Sequence, residues 1–279
     1  MKKNVLNSPG LLELKKRRQR VFLNKIFIFL LGVLVIFLLL AFLSRLQSVN
    51  ISKVEILGNK VLDTETLNNA IQEQIAGKYL WIFPKTNIFL YPKNNIEKEL
   101  LNEFKRIKDI SLAPKNNRTL EVSLAEREAK YTWCGVVPVS GAEEQCYFVD
   151  ENGYVFDEAP YFSGNVYFKF YGAQSESYFS KQNFKQLIIF KDTLIGFGLK
   201  PVALYATNDG DIEIFLLGGN PLTVAPKIIL RADADFQNVA ENLQAALDTE
   251  PLKSKFKNKY STLQYIDLRF GNKVYDKFQ

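Results

Sequence analysis

The chain has 279 residues, no histidine, two cysteines and a formal net charge of +6. Without histidine, Ser-His-Asp and Cys-His catalysis are excluded, and the commonest transition-metal ligand is missing. The charge is unevenly spread: residues 1–25 hold eight Lys/Arg against one acid, while residues 26–279 carry 28 basic and 29 acidic side chains.

Residues 1–25 read as a flexible basic tail. Ile26 to Leu43, IFIFLLGVLVIFLLLAFL, then runs eighteen residues without a charge or a polar side chain. At ~1.5 Å rise per residue, such a helix covers most of a ~30 Å hydrocarbon slab. Only a helix satisfies its own backbone there, so a transmembrane helix is assigned to 26–44. A dense positive cluster beside a span stays cytoplasmic, which places the N-terminus inside and the long C-terminal part outside the cytoplasm. A cleaved signal peptide would have a shorter apolar core followed by a small-x-small site, and the exit AFLSRLQSVN has none. The Lys/Arg run is therefore read as a topology signal in contact with anionic membrane lipid, in preference to a nucleic-acid patch. Residues 45–49 are a short linker.

The first exported unit covers 50–127. Val54 and Ile56 alternate with Lys53 and Glu55, the period of a half-buried strand. Gly58-Asn59 supplies a turn. Asp63 caps a helix with Leu67, Ala70, Ile71 and Ile75 on one face, and Gly77 ends it. The apolar run Tyr79-Leu80-Trp81-Ile82-Phe83 reads as packing between helices. Pro92 opens a second helix with a buried stripe of Ile96, Leu100, Leu101 and Phe104. Ile110 and Leu112 mark a strand, Asn116-Asn117 turns the chain, and Leu120, Val122 and Leu124 share one face of another strand. The order is β-α-α-β-β.

The second unit, 128–279, is richer in short strands. They are expected around Trp133, at Cys146–Val149 and at Tyr154–Phe156, the last two joined by the hairpin signal Asp150-Glu151-Asn152-Gly153. Two thiols without histidine make a poor zinc site. In an oxidising compartment Cys134 and Cys146 are expected to pair, closing a loop of about 13 residues worth ~3 kcal/mol. Asn165–Tyr171 is a strand candidate with Val166, Phe168 and Phe170 on one face. Ser180 to Phe197 has helical spacing through Phe184, Leu187, Ile188, Lys191 and Ile195, widened by Ile189 and Phe190. Strands follow at Val202–Ala206, Asp211–Leu217 and Pro221–Val224, then a helix from Phe236 to Leu247 with Phe236, Val239, Ala240, Leu243 and Leu247 inward. Lys253–Lys259 reads as a solvated loop. The acidic pairs Glu126/Glu128 and Glu143/Glu144 read as surface carboxylates, and the glycine clusters at 196–198 and 216–221 as turns, so no enzyme is expected.

In the closing segment, TLQYIDLRFGNKVYDKFQ, Ile266, Leu268 and Phe270 point one way, and Tyr265, Asp267 and Arg269 the other. A last strand leaves one row of N–H and C=O groups unpaired unless something covers it. Lys273 and Lys277 blunt such an edge in part. Phe270 and Phe278 beside it suit a hydrophobic landing site for an added strand.

The stretches VEILGN and ISLAPKNNRTLEVSLAEREAKYTW, with the two helices between them, resemble a POTRA domain. More narrowly, they resemble the membrane-proximal domain of the bacterial division family FtsQ (DivIB), whose third strand leads into a Glu-Arg pair, a small residue and an aromatic. Glu126-Arg127, Ala129 and Trp133 fill those places. The aromatic-rich strand entering Asp150–Gly153 and the terminal Tyr-Ile-Asp-Leu-Arg-Phe are similar to the family's second domain. The resemblance implies an α+β protein: a transmembrane helix, a POTRA domain at 50–127, and at 128–279 a β-rich domain with two helices on an antiparallel sheet. It also implies a single-pass protein of the cytoplasmic (inner) membrane at the division septum. Such a scaffold recruits FtsB-type and FtsL-type bitopic partners, with other divisome proteins, to regulate septal peptidoglycan synthesis. The partner-binding positions it implies are Tyr265, Leu268, Arg269, Phe270, Val274 and Phe278. No cofactor, metal, nucleic acid or small-molecule substrate is expected. The alternatives are a POTRA-containing export or assembly factor, and a membrane-anchored hydrolase using carboxylates. The first usually continues into a transmembrane barrel, and no even series of ~10-residue lipid-facing strands follows here.

Overall fold

A single helix, α1 (Pro9–Ser44), opens the chain. It starts well before the apolar stretch, so the basic leader is helical from Pro9 onward, unlike the flexible tail expected. Lys, Arg and Gln are good helix formers, and a helix already nucleated by its neighbour extends through them at little cost. The computed structural model describes residues 9–138, 144–175, 178–180, 183–218 and 225–279, with side chains from residue 15 except at 175 and 178. The protein is mixed α+β, and its N-terminal helix is long and apolar enough over Lys15–Ser44 to cross a membrane. The apolar side chains of that segment face outward except along one stripe, Phe37, Ala41 and Ser44, at i, i+4, i+7 spacing.

The chain divides into two compact units, Met1–Glu126 and Arg127–Gln279. After α1, the first unit contains β1 (Lys53–Leu57), α2 (Thr64–Ile75), a short ribbon β2 (Lys78–Tyr79) and β3 (Phe83–Pro84), α3 (Lys93–Glu103), β4 (Ile107–Asn116) and β5 (Thr119–Glu126). β5 is the central strand, parallel to β1 and antiparallel to β4. Its alternation buries Leu120, Val122 and Leu124 against Leu67, Ile71 and Ile75 of α2 and Ile96 and Leu100 of α3. Asp63 caps α2 by accepting the Thr66 N–H at 2.8 Å. Leu101 is exposed, because Ile96, Leu100 and Phe104 at i, i+4, i+8 already define the inward line. The run 79–83 does not pack between the helices: it folds back as the β2–β3 ribbon, leaving Leu80 and Trp81 outside.

The second unit contains β6 (Tyr131–Trp133), β7 (Cys146–Val149), β8 (Val155–Ala159), β9 (Lys169–Tyr171), β10 (Gln174–Ser175), β11 (Tyr178–Phe179) and α4 (Phe184–Gly196). It continues with β12 (Pro201–Ala206), β13 (Asp211–Leu216), β14 (Lys227–Arg231), α5 (Phe236–Asp248), α6 (Leu252–Lys259), β15 (Leu263–Phe270) and β16 (Lys273–Phe278). Among the described residues, nine strands form one sheet in the order β16-β15-β14-β13-β12-β9-β6-β7-β8, while β10 and β11 pair separately.

The sheet is mixed, which corrects the expected antiparallel arrangement. β6 and β9, β9 and β12, and β14 and β15 run parallel. Parallel neighbours need a crossover, and α4 supplies it between β9 and β12, α5 and α6 between β14 and β15. Helix α6 replaces the loop expected at 253–259; its charged sequence hides the pair Leu252 and Phe256, which lean inward at i, i+4. The inward line of α4 is Phe184, Leu187, Phe190 and Leu194, and Ile195 is exposed. Val166 is exposed too, since β9 begins only at Lys169. The strand expected at Pro221–Val224 lies outside the described residues, while β14 forms at Lys227–Arg231, where no strand is expected from the sequence. The core gathers Phe170, Phe179, Phe184 and Phe190 with Ile214, Ile228, Leu243 and Ile266.

Candidate partner-binding edge

The chain's last hairpin lies at one margin of the large sheet. β15 is flanked by β14 and β16, whereas β16 pairs with β15 alone among the described residues. Gly271, at φ +63°, turns the hairpin in the left-handed region, where a missing Cβ removes the steric penalty. On β15, Ile266 and Leu268 point into the core, and the pairing with β16 then slips between Asp267 and Phe270. That slip takes Phe270 off the inward line, and its ring is 56% exposed. It meets the ring of Tyr275 edge-on at 5.3 Å. Along β16, Val274 and Phe278 turn inward against the core, while Lys273, Tyr275 and Lys277 face out.

The six positions implied by the resemblance therefore separate. Phe270 is displayed, and Tyr265 is half-buried. Val274 and Phe278 are half-buried against the unit's own core, with Lys255 Nζ 5.6 Å from the Phe278 ring. Leu268 is 4% exposed and offers a partner nothing, because the inward face of a central strand is filled by its own domain. Arg269 is already engaged. Tyr275, outside those six positions, is displayed as well, and the alternation of Lys273, Tyr275 and Lys277 against Val274 and Phe278 carries the signal.

Arg269 forms a fork. Its Nε and one terminal nitrogen donate to the two carboxylate oxygens of Asp267 at 2.9 and 2.6 Å, and its other terminal nitrogen donates to Asp211 at 2.7 Å. Burial alone would raise the Asp267 carboxyl; the hydrogen bonds and charge of Arg269 outweigh it and hold it below the ordinary aspartate value. The same bonds push the guanidinium up. The Asp-Leu-Arg run thus ties β15 to the start of β13 and is a structural clasp. Lys255 of α6 pairs with Asp276 of β16 at 2.8 Å, fastening the marginal strand from its helix side.

The remaining polar clusters are committed to structure. Glu126 accepts the backbone N–H groups of Lys60, Val61 and Leu62 at 2.7 to 3.1 Å. Burial opposes ionisation of Glu126, and these donors outweigh it, so its carboxyl sits below the usual value. Glu128 pairs with Lys130. Arg127 holds the fully buried Asp150 at 2.6 Å and stacks 3.8 Å from the Tyr154 ring. The other Asp150 oxygen accepts from the N–H groups of Asn152 and Tyr154, shaping the β7–β8 turn. Glu144 accepts from Lys169 and Tyr171; Glu143, its expected neighbour, lies outside the described residues.

Cys134 and Cys146 form a disulfide across the β6–β7 pair. Glu144 lies close to both sulfurs, but bonded thiols have no thiolate to give a metal. Of the expected glycine turns, Gly198 takes φ +82° after α4 and Gly218 takes φ +122°, while 219–221 lie outside the described residues. A groove of about 700 Å³ runs between α4 and α5, lined by Phe190, Phe197 and Phe236 with Asp233, Asp235 and Glu241. Asp235 in its wall accepts the Gln237 and Asn238 N–H groups as the α5 cap.

Comparison with protein-family models and with curated proteins finds no match for this chain. Fold and edge define its class: an α+β protein with an N-terminal helix fit to cross a membrane and a large sheet whose terminal strand lacks an outer neighbour among the described residues.

Proposed function

We propose that the chain is a single-pass scaffold of the bacterial divisome, of the FtsQ (DivIB) kind. In this reading α1 holds it in the cytoplasmic membrane, residues 50–127 act as a POTRA domain beside the bilayer, and β16 receives FtsB-type and FtsL-type partners. The mechanism is assembly, with no substrate turned over. The observation that carries the reading is the marginal position of β16 beside the displayed rings of Phe270 and Tyr275. An added strand would gain main-chain hydrogen bonds along β16, and the ring pair would give it a side-chain contact that water cannot supply. Lys273 and Lys277 discourage a second copy of the same edge and favour an incoming strand with acidic residues.

The test is capture of the FtsB-type partner by the detergent-solubilised full chain. Phe270→Ala and Tyr275→Ala should each weaken capture about tenfold, the effect of removing one well-packed interface aromatic, with thermal unfolding unchanged. Unchanged capture by both variants rejects the edge as the site. A fluorescent fusion that fails to gather at midcell rejects the divisome assignment.

A further inference from the structure

We propose that the β2–β3 ribbon and the loop 87–90 form a second membrane contact, an interfacial foot that seats the first unit on the outer surface of the bilayer crossed by α1. The foot rests on α1 being a span and is independent of the division partners.

Its position comes from contacts within the first unit. The Phe83 ring of the ribbon meets Phe37 edge-on at 5.5 Å. Phe37 lies seven residues before Ser44, ~10 Å back along the helix axis and within the apolar stretch. The end of α1 is bolted to the same region. Asn50 and Asn87 donate side-chain N–H groups to the Ser44 carbonyl at 2.9 and 3.1 Å, and Arg45 Nε donates to the Ile82 carbonyl at 3.2 Å. Ile51 N–H to Thr86 and Ile88 N–H to Val49 complete the join at 2.8 and 2.9 Å. Residues 45–49 therefore do not act as a free linker, and a bilayer around α1 would meet the ribbon at the membrane surface.

The chemistry of the tip suits that depth. Tyr79 to Ile82 is a tight turn closed by the Ile82 N–H on the Tyr79 carbonyl at 3.0 Å. Its central residues, Leu80 and Trp81, have φ +47° and +65°, where Asn and Gly are usual and bulky side chains are strained. Despite that strain they are 76% and 91% exposed. Phe89, 76% exposed, stands two residues from the Asn87 side chain that grips Ser44. Lys78 and Lys85 flank the turn, with Lys85 Nζ 5.8 Å from the Tyr79 ring. Tryptophan and tyrosine with basic side chains beside them are what the polar–apolar boundary of a membrane takes up. Strain retained for display marks a segment with a task, and continuity with α1 names lipid as the occupant.

The test uses the full chain reconstituted in phosphatidylethanolamine–phosphatidylglycerol vesicles, with bromine on the acyl chains near the carbonyls. The Trp81 signal is the part of the emission lost in Trp81→Leu, a change at a side chain that makes no core contact. Bromolipid should remove most of that signal, and aqueous iodide should barely touch it. Quenching by iodide and not by bromolipid overturns the foot, since the tip then faces water. Shielding from both overturns it as well, because protein then covers the tip. Release of the chain from vesicles by alkali removes the span and the foot together, which separates that failure from the other two.

Discussion

Arg269 shows how one side chain can be conspicuous for a structural reason. Its planar fork spans two carboxylates, one of them buried, so truncation strands charge inside the sheet. Arg269→Ala should lower unfolding stability by about 3 kcal/mol, and Arg269→Lys should recover little, because a point ammonium cannot make the bidentate contact. Acid tests the same clasp. The folded carboxyl of Asp267 is depressed, so its contribution is present above the ordinary aspartate value of 3.8 and is lost as pH falls below it. Thermal unfolding of the native chain should therefore weaken steeply on acidification through that range. Asp267→Asn should be less stable at neutral pH and show a flatter acid limb; parallel curves would deny the clasp. Phe270 teaches the converse. A one-residue slip in pairing, invisible in its local alternation, takes it out of the core and onto the surface.

Among the elements, the disulfide joins the residue after β6 to the first residue of β7, and α6 carries the ion pair that fastens β16. Closing the Cys134–Cys146 loop should contribute ~3 kcal/mol by restricting the unfolded chain. Reduction, or Cys134→Ala with Cys146→Ala, should lower the stability of the second unit by that order, and non-reducing mass mapping should recover the bridged peptides. Two free thiols in the protein would refute both. Helix α6 formed where charge suggested a loop: burial of Leu252 and packing of Phe256 against the core suffice once neighbouring elements supply a surface. The β2–β3 ribbon is the opposite case. An apolar run became an exposed turn, and the proposed foot would bury it in lipid.

For the molecule as a whole, charge asymmetry is the strongest long-range signal. Eight basic residues in 1–25 against 28 basic and 29 acidic in the rest set the expected orientation. An alkaline phosphatase fused after Gln279 should be active, and a reporter that matures only in the cytoplasm should be dark. The reverse pattern would overturn the orientation and, with it, both the exported scaffold and the foot. The mixed sheet is also a whole-chain property. Two of its parallel pairs, β9–β12 and β14–β15, depend on helices that carry the chain back across the sheet, while β6 and β9 are joined through β7 and β8, and such pairings join residues far apart in sequence.

Properties decided between near neighbours were legible in the residues alone: the apolar helix, the Asp63 cap, the inward faces of α2 and α5, and the alternation of Leu120, Val122 and Leu124. Each is a contest of local hydrogen bonding and periodic burial, so a short window contains the answer. The parallel pairings, the burial of Leu268, the occupied fork of Arg269 and the display of Phe270, Leu80 and Trp81 were decided only by the tertiary structure. A side chain's exposure depends on what the rest of the chain brings to its face, and no window along the sequence holds both sides of that contact.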